Sequence, residues 1–151
     1  MANPDQLVLV FATRNPATNL RKLDRFLVVA EVNELTAVIC VNKIDLTGRE
    51  AAQRQFHIYE EIGYQVIYTS AVTGEGVAEL RACLKDKISV LAGSSGVGKS
   101  SLLNAVEPGL GLKVREVSQA TGKGMHTTRN AELFPLAEGG YVADTPGIRA
   151  L

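Results

Sequence analysis

Residues 93 to 100 read Gly93-Ser94-Ser95-Gly96-Val97-Gly98-Lys99-Ser100, with Gly93, Gly98, Lys99 and Ser100 at the fixed positions of G-x-x-x-x-G-K-[ST]. The apolar run Ile88 to Ala92 precedes them, and Leu102 and Leu103 follow at helical spacing. Strand, glycine-rich turn and helix is the setting that this spacing requires. Backbone N–H groups can wrap a phosphate chain only where no Cβ blocks the approach, which accounts for Gly93, Gly96 and Gly98. Ser94, Ser95, Val97 and Ser101 would complete the cradle, and the helix end adds unpaired donors and partial positive charge. Lys99 would reach the β- and γ-phosphates, and the Ser100 hydroxyl would ligate Mg²⁺. The stretch implies a nucleotide-phosphate site.

Three further motifs carry chemistry of the same kind. Asn42-Lys43-Ile44-Asp45 has the N-K-x-D pattern. A carboxylate at Asp45 can accept from guanine N1–H and the 2-amino group, neither of which adenine offers. Asn42 would brace the neighbouring loops and contact the base edge, and the Lys43 stem would lie over the base plane. Thr69-Ser70-Ala71 ends another strand, so the N–H groups of Ser70 and Ala71 could meet guanine O6. Asp144-Thr145-Pro146-Gly147 fits D-x-x-G after an apolar strand. Asp144 would hold Mg²⁺ through water, and the Gly147 N–H would sense the γ-phosphate. Thr127 or Thr128 supplies the second hydroxyl to the metal, with Thr128 preferred. His126 and Lys123 are either functional or solvated loop charges. A plain solvated turn is the alternative for each of these motifs taken singly.

The elements that must position them alternate. Leu7 to Phe11 is an unbroken apolar strand, and Thr18 or Asn19 caps a helix over Leu20 to Asn33, with Leu20, Leu23, Leu27 and Ala30 inward. Ala37 to Val41 is a second strand. Thr47 and Glu50 form a capping box for a helix that Gly63 ends, with Phe56, Tyr59 and Ile62 inward. Val66 to Tyr68 is a strand, and Glu75 to Leu84 a helix with Val77, Leu80 and Leu84 on one stripe. Residues 109 to 130 have weak periodicity and read as a loop that orders around a ligand. Ala131 to Leu136 and Tyr141 to Ala143 form a hairpin through Glu138-Gly139-Gly140. Strands alternating with helices predict an α/β fold with a mostly parallel six-stranded sheet and one antiparallel edge strand.

With 151 residues, 21% of them charged, and no formal net charge, the chain suits one soluble domain without an electrostatic footprint for nucleic acid. No apolar run approaches membrane-spanning length and no signal-peptide pattern is present, so a cytoplasmic chain with no membrane partner is expected. Cys40 and Cys83 read as two buried free thiols.

The order of the motifs is unusual: base-reading motifs first, then the phosphate loop, then the threonine loop and D-x-P-G. Ordinary GTPases begin with the phosphate loop. With LDRFLV, VNKIDL, AGSSGVGKSSLLNA, GKGMHTTRNAEL and DTPGIRAL, the chain resembles the circularly permuted, ribosome small subunit-dependent GTPases of the RsgA/YjeQ family over nearly its whole length. The resemblance implies a three-layer P-loop fold, GTP or GDP with Mg²⁺, and a small ribosomal subunit and its rRNA as partner. Family members usually flank this domain with an oligonucleotide-binding barrel and a zinc domain. The expectation is therefore a GTPase domain over 1–151, without zinc of its own, monomeric, and docking weakly or not at all by itself. Ile148 stands where many GTPases carry a water-orienting glutamine, as in hydrophobic-substituted relatives. Intrinsic hydrolysis should be slow, with the ribosome or His126 completing the catalytic set. Two rivals remain. One is a guanine-nucleotide-binding module with negligible turnover; the other is an ATP-dependent kinase, against which Asp45 argues.

Overall fold

Every residue of β1 (Gln6–Ala12) is buried, and successive side chains feed two different cores. Leu7, Leu9 and Phe11 join one cluster, whereas Val8, Val10 and Ala12 join the other. A strand covered on both faces needs this continuous apolar spelling. In the computed structural model, residues 4–14, 17–94, 96–110 and 132–144 are described, the side chains of Glu132 and Asp144 excepted.

The elements follow as α1 (Leu20–Val32), β2 (Thr36–Asn42), α2 (Ile44–Thr47), α3 (Arg49–Ile62), β3 (Gln65–Tyr68), α4 (Val77–Leu84), β4 (Ile88–Ala92), α5 (Lys99–Val106), a 3-10 turn (Pro108–Leu110), β5 (Glu132–Pro135) and β6 (Tyr141–Asp144). The sheet order is β3-β2-β1-β4-β6-β5. All neighbours are parallel except β5 and β6, the hairpin at one edge. Helices α1 and α3 cover one face and α4 and α5 the other, giving three layers. Phe11 and Phe26 meet edge-to-face at 6.4 Å in the first core.

Asn19 caps α1, its Oδ1 accepting from the Lys22 N–H at 3.0 Å. Leu23, Leu27 and Ala30 are buried as expected, and Phe26 with them; Leu20, at the open first turn, stays 37% exposed. The predicted Thr47/Glu50 capping box does not form. Lys43, at φ 64°, turns the chain straight into α2, so Thr47 is already helical and Gly48 (φ 90°) becomes the N-cap of α3. Ile62 is a second correction. The α3 stripe runs through Ala52, Phe56 and Tyr59, and three residues further on Ile62 has rotated off it to 65% exposure. The helix expected from Glu75 starts at Val77, because Gly76 at φ 77° is its N-cap.

Cys40 and Cys83 are free and buried. Burial pushes the Cys40 thiol up to about 12 despite its contact with Thr69 Oγ1, and the Tyr59 phenol, bonded to Asp24 Oδ1 at 2.9 Å, also up to about 12. Folding therefore favours the neutral forms. Their stabilisation is complete below the ordinary values of 9.0 and 10.0 and is lost as pH climbs towards 12. The urea midpoint should accordingly fall from pH 9 to 12, and native Cys40 should resist iodoacetamide at pH 8.5. Rapid alkylation of Cys40 in folded protein would contradict this packing.

Candidate functional site

The C-terminal ends of β1, β2, β3, β4 and β6 open towards one side, where parallel α/β sheets place ligands. From β4 the chain enters the phosphate loop at Gly93. A Cβ there would lie 2.5 Å from the Val10 carbonyl oxygen, so only glycine passes β1 this closely. Gly98, at φ 98°, is the N-cap of α5, and its position lets the Asn42 amide press against it. Lys99 opens α5 and folds its Nζ back onto the Gly93 carbonyl at 3.1 Å. Ser100 is 8% exposed, and Ser101 is half-buried in the same turn. Val97 is buried in the second core, anchoring the loop.

Asn42, at the end of β2 and 2% exposed, joins this loop to the loop that follows β3. Its Nδ2 donates to the Val97 carbonyl at 2.9 Å, and its Oδ1 accepts from Thr69 Oγ1 at 3.0 Å. Its side chain therefore ties the two loops together. Lys43 lays its stem towards the phosphate loop and donates to the Gly96 carbonyl at 2.7 Å. Its left-handed backbone costs about 1 kcal/mol and is held by Thr13 Oγ1 on its carbonyl at 2.9 Å.

Asp45 is exposed and accepts from Ser70 Oγ at 2.7 Å. The Ser70 N–H is spent on the Glu75 carbonyl at 2.9 Å, so it is not available to a base. The Ala71 N–H has no acceptor among the described residues. Arg49 pairs with Glu75 at 2.9 Å and stacks over the Tyr68 ring at 5.5 Å, clipping this loop to α3. Nothing in the spacing pointed to Arg49 and Glu75, since each is an ordinary surface charge in the sequence. The same holds for Lys22, whose Nζ donates to Ser94 Oγ at 2.8 Å.

Asp144 pairs with Leu91 in the β4–β6 register, which puts its backbone beside the root of the phosphate loop. Its side chain lies outside the described residues, as do Ser95, Lys123, His126, Thr127, Thr128, Gly147 and Ile148. The oxygen donors by type, the Ser100 hydroxyl and a carboxylate at Asp144, suit Mg²⁺. Among the described residues no three His, Cys, Asp or Glu side chains gather as a metal site, and no helix is long and apolar enough to cross a membrane. A cavity of about 200 Å³ lined by Arg81, Lys85 and Glu107 lies at the opposite end of α5.

The RsgA GTPase family model matches residues 1–151. The chain is 51% identical to the small ribosomal subunit biogenesis GTPase RsgA of Caldanaerobacter subterraneus subsp. tengcongensis, covering 100% of this chain and 51% of that one. For its counterpart in Moorella thermoacetica the identity is 50%, with 100% and 52% covered. The chain thus spans about half the length of these relatives. Among solved structures it superposes on YjeQ from Thermotoga maritima with a TM-score of 0.78 at 44% identity, over 96% of this chain and 48% of that one. It superposes on YloQ, described as a circularly permuted GTPase, with a TM-score of 0.67 at 38% identity, over 95% and 45%. Sheet order, phosphate loop and these matches agree, and the chain belongs to the RsgA GTPase family.

Proposed function

We propose that this chain is a circularly permuted GTPase domain that binds GTP and GDP and acts as the switch of a small-subunit biogenesis factor. The observation that carries it is the Asn42 side chain, bonded at once to the phosphate loop and to the base-reading loop. One nucleotide lying between Asp45 and Lys99 would touch both halves that Asn42 holds together.

In the reaction, water attacks the γ-phosphorus in line, the bond to the β-phosphate oxygen breaks, and GDP and phosphate leave. Lys99 exchanges its bond to the Gly93 carbonyl for β- and γ-oxygens and stabilises the charge that shifts onto them. Ser100, Asp144 and Thr128 (or Thr127) would hold Mg²⁺, which when bound neutralises phosphate charge. Gly147 would sense the γ-phosphate, and His126 would help to orient water. Ile148 can neither align nor polarise water, so the isolated domain should turn over slowly. That residue also keeps a binding-only reading alive. The names of the relatives support the small ribosomal subunit as partner; a cytoplasmic, monomeric domain belongs to the same proposal.

The test is displacement of a fluorescent GDP analogue, followed by single-turnover hydrolysis with and without small subunits. GDP and GTP should displace the probe and ATP should not. Stimulation by subunits supports the switch, whereas displacement by ATP as strong as by GTP would revive a kinase-like site. Tight binding with no turnover in either condition would leave the binding module.

A further inference from the structure

Three ammonium groups fasten onto three residues of the phosphate loop. Lys99 Nζ is on the Gly93 carbonyl, Lys22 Nζ on Ser94 Oγ and Lys43 Nζ on the Gly96 carbonyl. Lys99 and Lys43 belong to motifs; Lys22 comes from α1, 72 residues away in sequence from Ser94. Its root is well fixed. The Lys22 N–H is held by Asn19 Oδ1, Thr18 Oγ1 donates to the Ala12 carbonyl at 2.7 Å, and Leu23 beside it is fully buried.

A serine hydroxyl can be satisfied by water or by the backbone, and ordering a lysine costs side-chain entropy. A third cation at this loop also adds positive charge where the phosphates of a bound nucleotide would lie. Lys22 does both at half-burial, where screening is weaker than at the surface.

We propose that Lys22 is a positioning residue for the phosphate chain of the bound nucleotide. It pins Ser94, and so the Gly93–Ser94 backbone, to α1, and it adds positive charge to the phosphate end of the site. This rests on the guanine-nucleotide reading above. Its contribution grows with the number of phosphates, because the base end lies on β2 and β3, at loops Lys22 does not touch.

The experiment uses the full 151-residue chain with Mg²⁺ and measures competition by GMP, GDP and GTP against a fluorescent GDP analogue. Wild type, Lys22→Met, Lys22→Arg, Ser94→Ala and the Lys22→Met/Ser94→Ala double variant are compared. Lys22→Met should weaken GTP by roughly tenfold, the scale of one charged hydrogen bond, with a smaller loss for GDP and almost none for GMP. Its GTP affinity should also depend less steeply on salt. Lys22→Arg should restore most of the affinity, and the double variant should lose less than the sum of the single losses. Equal losses for GMP and GTP, or no loss with wild type binding normally, would overturn the role of Lys22 alone. A wild-type chain that binds no guanine nucleotide would overturn the site reading together with it.

Discussion

Asp45→Asn should lower affinity for GDP and GTP by roughly 100- to 1,000-fold, the loss of two hydrogen bonds to a charged acceptor. The chain itself should be undisturbed. Asp45 is exposed, and its bond from Ser70 Oγ can be kept by the amide oxygen of asparagine. The urea midpoint should therefore stay within the range of a surface substitution, about 0.5 kcal/mol. Xanthosine diphosphate, whose 2-oxo group can accept from the new amide, should gain affinity as GDP loses it. Competition titrations against both diphosphates read this directly. Unchanged GDP affinity would mean that the base does not lie at Asp45, and the function proposed here would need another base site.

Gly98→Ala should damage fold and site together. The residue is at φ 98°, and a Cβ there would overlap Asn42 Nδ2. Asn42 has no room to yield, since it is buried and both of its polar groups are bonded. Displacing it takes the Nδ2 donor from the Val97 carbonyl, at about 1–3 kcal/mol for a buried unpaired group, whereas the Thr69 hydroxyl can still donate to the Val41 carbonyl. The left-handed backbone adds about 1 kcal/mol. A loss near 2–4 kcal/mol in urea unfolding is expected, with more than 100-fold weaker GDP binding. Gly109→Ala is the control: its Cβ would meet nothing within 4 Å, and its stability should not change measurably. If Gly98→Ala bound GDP normally at unchanged stability, Asn42 would not be the brace described above.

The strands and the phosphate loop were legible because their spelling is local. An unbroken apolar run reads as a buried strand, and glycines at fixed spacing permit only a few backbone paths. Asn42 and Asp45 were legible through a motif, but the bonds of Asn42 to Val97 and Thr69 cross loops from three strands and have no local signature. Lys22, Arg49 and Glu75 were illegible for the same reason. The missed capping box has a different cause: the left-handed Lys43 created a helical turn, and the T-x-x-E pattern was spent inside it. For Ile62 the spacing of three from Tyr59 suggests an inward side chain, whereas the 100° step per residue carries it off the stripe.

The strand order also bears on how the chain is made. Gln6 of β1 pairs with Thr36 on one side and with Ser89 on the other. The second partner is 83 residues downstream. At roughly 5–20 residues per second of synthesis, one edge of the central strand waits about 4 to 17 s for its neighbour. During that interval Val8, Val10 and Ala12 also lack Leu102, Leu103 and Val106 of α5, against which they finally pack. An open apolar edge is a template for wrong pairing. Placing the N-K-x-D half first therefore puts the hazard on β1 of the nascent chain, until translation delivers β4.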